Sequence, residues 1–555
     1  MYSRPEINTY PDKVARDRPK QVYILIAVLF VATILLVFRN LPVGPIPAGD
    51  EFQYSLMSRH IPYSQDWIPS YLYYFVYSST NFCGAQYYAC AKIVNVLFLD
   101  LAAVFVFVTC RMFVGWLASF LAMLAFAASP LNVFTSMFMP ETMYAAAAWM
   151  LFYFYLSRQS DWTLRDSIAA GVGIALLSMI KPHGVFFGIA YFGAIVFELL
   201  VVRKSSVKAI AANAVAFIGS FLVLRLSAGF LFAGRPGFSI LGGSYGRIVG
   251  GHNLVDYLHV VTMSATPAVK HIVAMSLVAG VPFCILLTRA FRARAENLLA
   301  SRLTNFAALF FVVMIGVVSL FTATVFNGGS ETLDRLHSRY YDFFIFLLYL
   351  AAAAELKRRD QPSLAARLLA GGIVMVLALV SVFYLPSHFT QSLVDNPEIH
   401  GLFWSDKYLY IFASVNIALV ALWAFNSSAA EKMFLFAQVP LGLVLCLALL
   451  TRDLRSVTVY HNQYPRAGDL ARIIWGAPLP EYFVAGQGVG EGWHTHFHMD
   501  KLGTRIELAP NETLHKAAIP KGVTAGIIIG NHLIDFPYVT NYADASIKII
   551  QIANP

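Results

Sequence analysis

Apolar runs of roughly 17 to 22 residues recur along the whole chain, and no other feature restricts its fold as much. Each is long enough to cross a hydrocarbon layer about 30 Å thick as a helix, with every backbone polar group satisfied inside its own segment. The runs fall at 22–38, 92–110, 114–134, 142–157, 167–181, 184–202, 209–230, 268–288, 304–325, 340–356, 368–386, 407–425 and 433–451, about thirteen in all. Of the 555 residues, 58% are hydrophobic and 13% charged, with 44 Phe and 28 Tyr, more apolar surface than a single soluble core could hide. An all-α polytopic membrane protein is therefore expected, with lipid as its solvent.

The net charge of +9 does not point to nucleic acid, because the Lys and Arg residues cluster in short connections between apolar runs rather than among aromatics. Arg4, Lys13, Arg16, Arg18 and Lys20 precede the first run, so residues 1–21 read as a cytoplasmic tail and 22–38 as a retained helix, not a cleaved signal. Alternation from that start places Arg203/Lys204/Lys208, Arg289/Arg292/Arg294/Arg302 and Lys357/Arg358/Arg359/Arg367 on the same side. An odd number of spans then sends everything after Arg452 to the other side. Residues 22–451 form the expected transmembrane domain, whose outer loop 40–91 is rich in Tyr and Pro and suits interfacial helices. Residues 452–555 form a small extracytoplasmic domain containing strands, with β-branched runs at Ala525–Ile529 and Ala545–Ile552 between turn residues.

Three features fall at the outer ends of spans. Gly49-Asp50-Glu51 follows the Pro-rich exit from the first span, where two adjacent carboxylates suit proton abstraction from a hydroxyl or binding of a divalent cation, and equally an ordinary helix start. Pro140-Glu141 opens the fourth span. Lys181-Pro182-His183 separates the fifth from the sixth, placing an ammonium where it could hold a phosphate or snorkel to the interface. A fourth feature, the run RLHSRYYD from Arg335 to Asp342, offers Arg335, His337, Arg339 and Tyr340 to an anionic headgroup.

By these residues the chain resembles the membrane glycosyltransferases of the GT-C superfamily, over spans one to ten. Family members carry an acidic pair in the first outer loop, here Asp50 and Glu51, and a second acidic position after span three, here Glu141. Bacterial aminoarabinose transferases and protein O-mannosyltransferases are similar in the Lys-Pro step after span five, here Lys181-Pro182, and in an Arg-Tyr pair entering a late span, here Arg339-Tyr340. The resemblance implies inverting transfer of a monosaccharide from a polyprenyl-phosphate donor to a hydroxyl of a glycan, lipid or protein acceptor, at the extracytoplasmic face of a bacterial inner or plasma membrane. Asp50, Glu51 and Glu141 would then be catalytic, and Lys181, His183, Arg335, His337, Arg339 and Tyr340 would bind the donor phosphate. No metal ligand set is assigned. A ligase or polymerase using a lipid-diphosphate donor and a transporter are the competing readings, the latter less apt because a carrier's ionisable residues cluster near the bilayer midplane.

Further expectations concern structure. Asp100 and Arg225 lie inside spans two and seven, where a charge costs roughly 2.5 to 3.5 kcal/mol, and they are expected to pair. His494, His496 and His498 alternate, so on a strand they would share one face, as an acceptor-contacting strand or a zinc site would use them. Cys83 and Cys90 share the first outer loop and can pair.

Overall fold

The computed structural model describes residues 19–553 apart from 47, 60–67, 159–161, 244–253, 292–297, 328–331, 357, 359, 459–462 and 488–491. The basic residues Arg4, Lys13, Arg16, Arg18, Arg292, Arg294, Lys357 and Arg359 lie outside the described residues.

Each expected span is a helix or a broken helix. In chain order the helices are α1 (Pro19–Asn40), the shorter α2 (Ala48–Arg59) and α3 (Tyr71–Tyr77) in the loop 40–91, α4 (Tyr87–Arg111), α5 (Trp116–Ala127), α6 (Glu141–Ser157), α7 (Leu164–Ile180) and α8 (Gly184–Phe197). There follow α9 (Val207–Ala233), α10 (Leu254–Val278), α11 (Gly280–Arg289), α12 (Leu298–Asn327), α13 (Ile345–Glu355), α14 (Leu364–His388), α15 (Asp406–Phe425), α16 (Ser427–Met433) and α17 (Val439–Thr458). Among the described residues, nine helices are long and apolar enough to cross a membrane, or ten if α5 and the turn Pro130–Ser136, bent by 50°, count as one span. The chain is an integral, multi-pass membrane protein. The expected spans over α6, α7 and α13 are shorter helices, of 17, 17 and 11 residues.

Local chemistry sets the ends of these helices. Thr163 and Asp166 form a reciprocal capping box at the start of α7, and Ser206 and Ser363 cap α9 and α14. At the end of α7, Lys181 is extended (φ −147°, ψ 130°) because Pro182 disfavours the helical region for the residue before it. Gly184 then lets α8 fold back tightly, since a Cβ there would lie 2.6 Å from the backbone nitrogen of Ser178.

After α17 come α18 (Gln463–Trp475), β1 (Tyr482–Gly486), α19 (Gly492–Met499), β2 (Thr504–Glu507), β3 (Ala525–Ile529), β4 (Tyr538–Ala543) and β5 (Ile547–Ile552). The sheet order is β2-β1-β3-β5-β4, parallel among β2, β1 and β3 and antiparallel from β3 through β5 to β4. Its fully buried β1 and β3 separate two small cores, one of them under α18. This domain sits on one end of the helical bundle through α19. Phe52 and Trp493 rings lie 5.6 Å apart, Tyr88 meets Phe497 edge-on at 5.2 Å, and Arg59 pairs with Asp500.

Two structural expectations are corrected. Asp100 does not meet Arg225. Its Oδ2 accepts from Thr33 Oγ1 at 2.5 Å, while Arg225 donates to the carbonyls of Gly237, Ser239 and Ile240, so each takes other, nearer partners. The alternating histidines lie on α19 rather than a strand, because the chain must cross from β1 to its parallel neighbour β2 and does so helically. His496 faces inward to Tyr482 Oη at 2.8 Å, and His498 faces Asp469 at 2.9 Å. Cys83 and Cys90 form a disulfide that ties the segment before α4 to the first turn of α4.

Candidate functional site

At the bundle end that carries the sheet domain, eight of the nine residues singled out from the sequence form one continuous chain of contacts. Pro140 starts α6 and puts Glu141 in its first turn, and the Lys181-Pro182 step ends α7 beside it. Lys181 Nζ reaches Glu141 Oε1 at 2.9 Å, with both side chains almost wholly buried. Glu141 Oε2 has no hydrogen-bond partner among the described residues. The ammonium also lies 4.7 Å from the centre of the Tyr340 ring, and that ring stacks on His183 at 4.0 Å. Arg339 continues the chain, with Nη1 3.0 Å from Asp50 Oδ2 and Nε 3.3 Å from Asp395 Oδ1.

Asp395 is the hub that sequence reasoning missed. Arg335 approaches its Oδ2 at 2.6 Å, His337 Nδ1 lies 3.5 Å from Oδ1, and its carbonyl accepts from Arg339 N and Ser338 Oγ. Burial alone would push the Asp395 carboxyl up, but Arg339, His337 and Arg335 together hold it well below the usual range. Burial, reinforced by Lys181 and Arg339, pulls His183 well below the ordinary imidazole range, and its ring stacks on Tyr340.

Asp50 differs from the other carboxylates in the chain because its side chain is 44% exposed. Glu51, its neighbour, is fully buried and turned elsewhere. Oε1 accepts from Phe138 N at 2.6 Å and from Tyr88 Oη at 3.0 Å, and Oε2 accepts from Ile46 N at 2.6 Å. Burial pushes this carboxyl up to about 7, partly opposed by those hydrogen bonds and by Lys92. The two adjacent acids thus share no cation-binding face. Glu51 ties α2 to the loop before it and to the turn before α6, and so sets where Asp50 stands. Among the described residues, no three His, Cys, Asp or Glu side chains converge as a metal site.

Two further acids border the cluster. Asp342 follows Tyr340 and Tyr341 at the entry to α13, and Glu398 lies on the helical turn Pro397–His400. The two carboxyls interact closely, and Asp342 also feels Lys181 and Glu141. A sequence signal for this segment existed in Asp395-Asn396-Pro397-Glu398, where Pro at the first position of a turn is flanked by acids.

No family model matches the chain, and no curated protein matches it. Among solved structures it is similar to ArnT from Cupriavidus metallidurans bound to undecaprenyl phosphate, with a TM-score of 0.49 and 14% identity over 96% of this chain and 98% of that one. An Archaeoglobus fulgidus oligosaccharyltransferase tethered with an acceptor peptide gives a TM-score of 0.41 and 13% identity, over 87% of this chain and 64% of that one. The arabinosyltransferase EmbB from Mycobacterium smegmatis gives 0.42 and 15%, over 83% and 42%.

Proposed function

We propose that this protein is an inverting glycosyltransferase that moves a monosaccharide from a polyprenyl-phosphate donor to an acceptor hydroxyl, at the extracytoplasmic end of its helical bundle. One observation carries the reading: a single connected cluster joins the half-exposed carboxylate Asp50 to the cations Arg339 and Lys181, at the bundle end where the sheet domain docks. That combination supplies both things the reaction needs.

Asp50 takes the proton of the acceptor hydroxyl as its oxygen attacks the anomeric carbon. The bond from that carbon to the phosphate oxygen breaks on the opposite face, its electron pair stays on the phosphate, and the configuration inverts. A phosphate leaving group needs little protonation, so fixed cations matter more than a general acid. Arg339 and Lys181 fill that role. The incoming phosphate competes with Asp50 for Arg339 and with Glu141 for Lys181, which frees Asp50 to act as base when the donor arrives. Glu141 orients the ammonium, Arg335 and His337 fix Arg339 through Asp395, and Glu51 positions α2. In this reading residues 22–451 form the catalytic domain of a bacterial inner-membrane enzyme, and the tail domain meets the acceptor.

The experiment is transfer of labelled sugar from a panel of synthetic polyprenyl-phosphate monosaccharides by purified protein in lipid, with wild type and Asp50→Asn side by side. Transfer lost in the folded variant supports both the enzyme and its base. Undiminished turnover would remove Asp50 from the mechanism.

A further inference from the structure

The connection that leads the chain from α1 to Asp50 cannot hold itself in place. Residues 41–47 read LPVGPIP, and Pro42, Pro45 and Pro47 have no N–H to donate. Carbonyls therefore outnumber donors there, next to the last carbonyls of α1, which a helix always leaves without intrahelical partners. Val43 N donates to the Asn40 carbonyl at 3.0 Å and Ile46 N to Glu51. The donors still needed come from α4.

Lys92, in the second turn of α4, is almost wholly buried and donates to the carbonyls of Asn40 at 3.0 Å, Leu41 at 3.4 Å and Val43. It closes the C-terminal end of α1, where the helix dipole favours a cation. The same ammonium lies 4.1 Å from the centre of the Tyr88 ring, one turn earlier on the same face of α4. Tyr88 Oη takes up the next part of the connection. It lies 3.3 Å from the Gly44 carbonyl, 3.0 Å from Glu51 Oε1 and 3.1 Å from the Ser136 carbonyl in the turn before α6. Its ring also meets Phe497 of the sheet domain. One side chain thus touches the connection, α2, the turn before α6 and the tail domain.

The helix that carries Asp50 depends on this hub. Among the described residues, Arg339 is the one side chain that Asp50 binds, so the backbone of α2 must set where its carboxylate stands. Glu51, the next residue, fixes that backbone through two main-chain N–H groups and the Tyr88 hydroxyl. Of the three, only the hydroxyl belongs to a side chain.

We propose that Tyr88, braced by Lys92, is a positioning residue for sugar transfer, holding Glu51 and the first turn of α2 so that Asp50 stands against Arg339. The role in transfer rests on the function proposed above; the hold on Asp50 does not.

The test compares wild type with Tyr88→Phe, as the full chain in phosphatidylcholine nanodiscs, in two assays. The variant deletes the hydroxyl and keeps the ring on Lys92 and Phe497. In the transfer assay kcat should fall about tenfold with the donor KM unchanged, because a small displacement of the base is costly while the cations stay where they are. The second assay needs no transfer. Asp50 is labelled with a water-soluble carbodiimide and glycinamide and read by mass spectrometry. With α2 loosened, its pair with Arg339 opens more often, and labelling should be about threefold faster, the scale of an exposed ion pair. Asp360, 45% exposed and paired with Arg289 at the other end of the bundle, should label at the wild-type rate. If Tyr88→Phe does not fold, Lys92→Met takes its place with the same expectations. Unchanged kcat and labelling, a change confined to KM, a fall in kcat without faster labelling of Asp50, or equal acceleration at Asp50 and Asp360 overturns the proposal. A wild type that transfers no sugar from any donor removes the transferase reading, and the labelling then decides by itself whether Tyr88 holds Asp50.

Discussion

The two ends of the helical bundle use the same residue types to opposite effect. At the end away from the sheet domain, Glu198 is gripped by Arg302 Nε at 2.7 Å and Arg203 Nε at 2.8 Å, and Glu355 by Arg289 Nε at 3.0 Å and Arg358 Nη1 at 2.7 Å. Both oxygens of each carboxylate are occupied and the groups are buried, so these clusters tie helices together and leave nothing for a ligand. At the sheet-domain end, the charges are distributed so that something is left over. Asp50 is half-exposed, and Glu141 keeps one free oxygen. On the function proposed above, closed ion pairs mark structure here and open ones mark chemistry, and the contrast can be broken or sharpened by substitution.

The largest effect is expected at the open end. Asp50→Asn keeps the hydrogen-bonding shape but not the basicity, and should lower transfer by about 10² to 10⁴-fold, the usual contribution of a general base. Its thermal unfolding should match wild type, because an exposed carboxylate in one ion pair contributes little to stability. The closed end should behave in the reverse way. Glu198→Gln leaves Arg302 and Arg203 buried without their anion and should cost about 3 to 5 kcal/mol of stability, read as a lower melting temperature. Transfer per folded molecule should stay at the wild-type level. A Glu198→Gln protein of normal stability, or one that is stable but inactive, would erase the distinction between the two ends.

Sequence order made much of this site legible. Asp50, Glu141, Lys181 and Arg339 were visible because each interrupts an apolar pattern at the end of a span, and alternation of the spans puts those ends on one side. The function of Glu51 was not legible. Adjacent residues on a helix point roughly 100° apart, so a neighbouring acidic pair does not share a face, but which of the two turns inward depends on Phe138 and Tyr88, distant in the chain. Asp395 escaped for a related reason, since an acid in a connection looks like a solvated surface until arginines from another segment close over it. Asp100 and Arg225 show the converse error. Equal depth along two helices does not make them lateral neighbours, and Thr33 and three carbonyls are their partners instead.

Glu51 belongs to neither end's pattern, being closed yet next to the open site, and pH separates the two roles. Its folded-state value of about 7 lies above the ordinary 4.5, so the folded protein holds a proton there that the unfolded chain releases. Its contribution to stability is therefore complete below about pH 4.5 and is lost as the pH rises through 7, a difference of roughly 3 kcal/mol. Melting temperatures in nanodiscs from pH 5 to 8 should fall in wild type, and the slope should flatten in Glu51→Gln whatever that variant's absolute stability. Identical slopes would mean that the buried carboxyl does not titrate in this window.

The smallest effect is expected where the sheet domain braces the open end. Trp493 packs on Phe52, and a Cβ on Gly49, next to Asp50, would lie only 3.4 Å from its indole, so the tail domain touches the helix that carries Asp50, the proposed base. An aromatic pair of this kind contributes about 0.5 to 1.5 kcal/mol beyond its area, which limits Trp493→Ala to roughly a tenfold loss of rate if all of it is spent on holding α2 in place. Trp493→Phe retains a ring against Phe52 and should restore most of that rate. The loss should appear in kcat with the donor KM unchanged, because Lys181 and Arg339 do not touch the indole. A change confined to KM for the acceptor would instead place Trp493 in direct contact with that substrate, and the tail domain would then be part of the open site rather than its support.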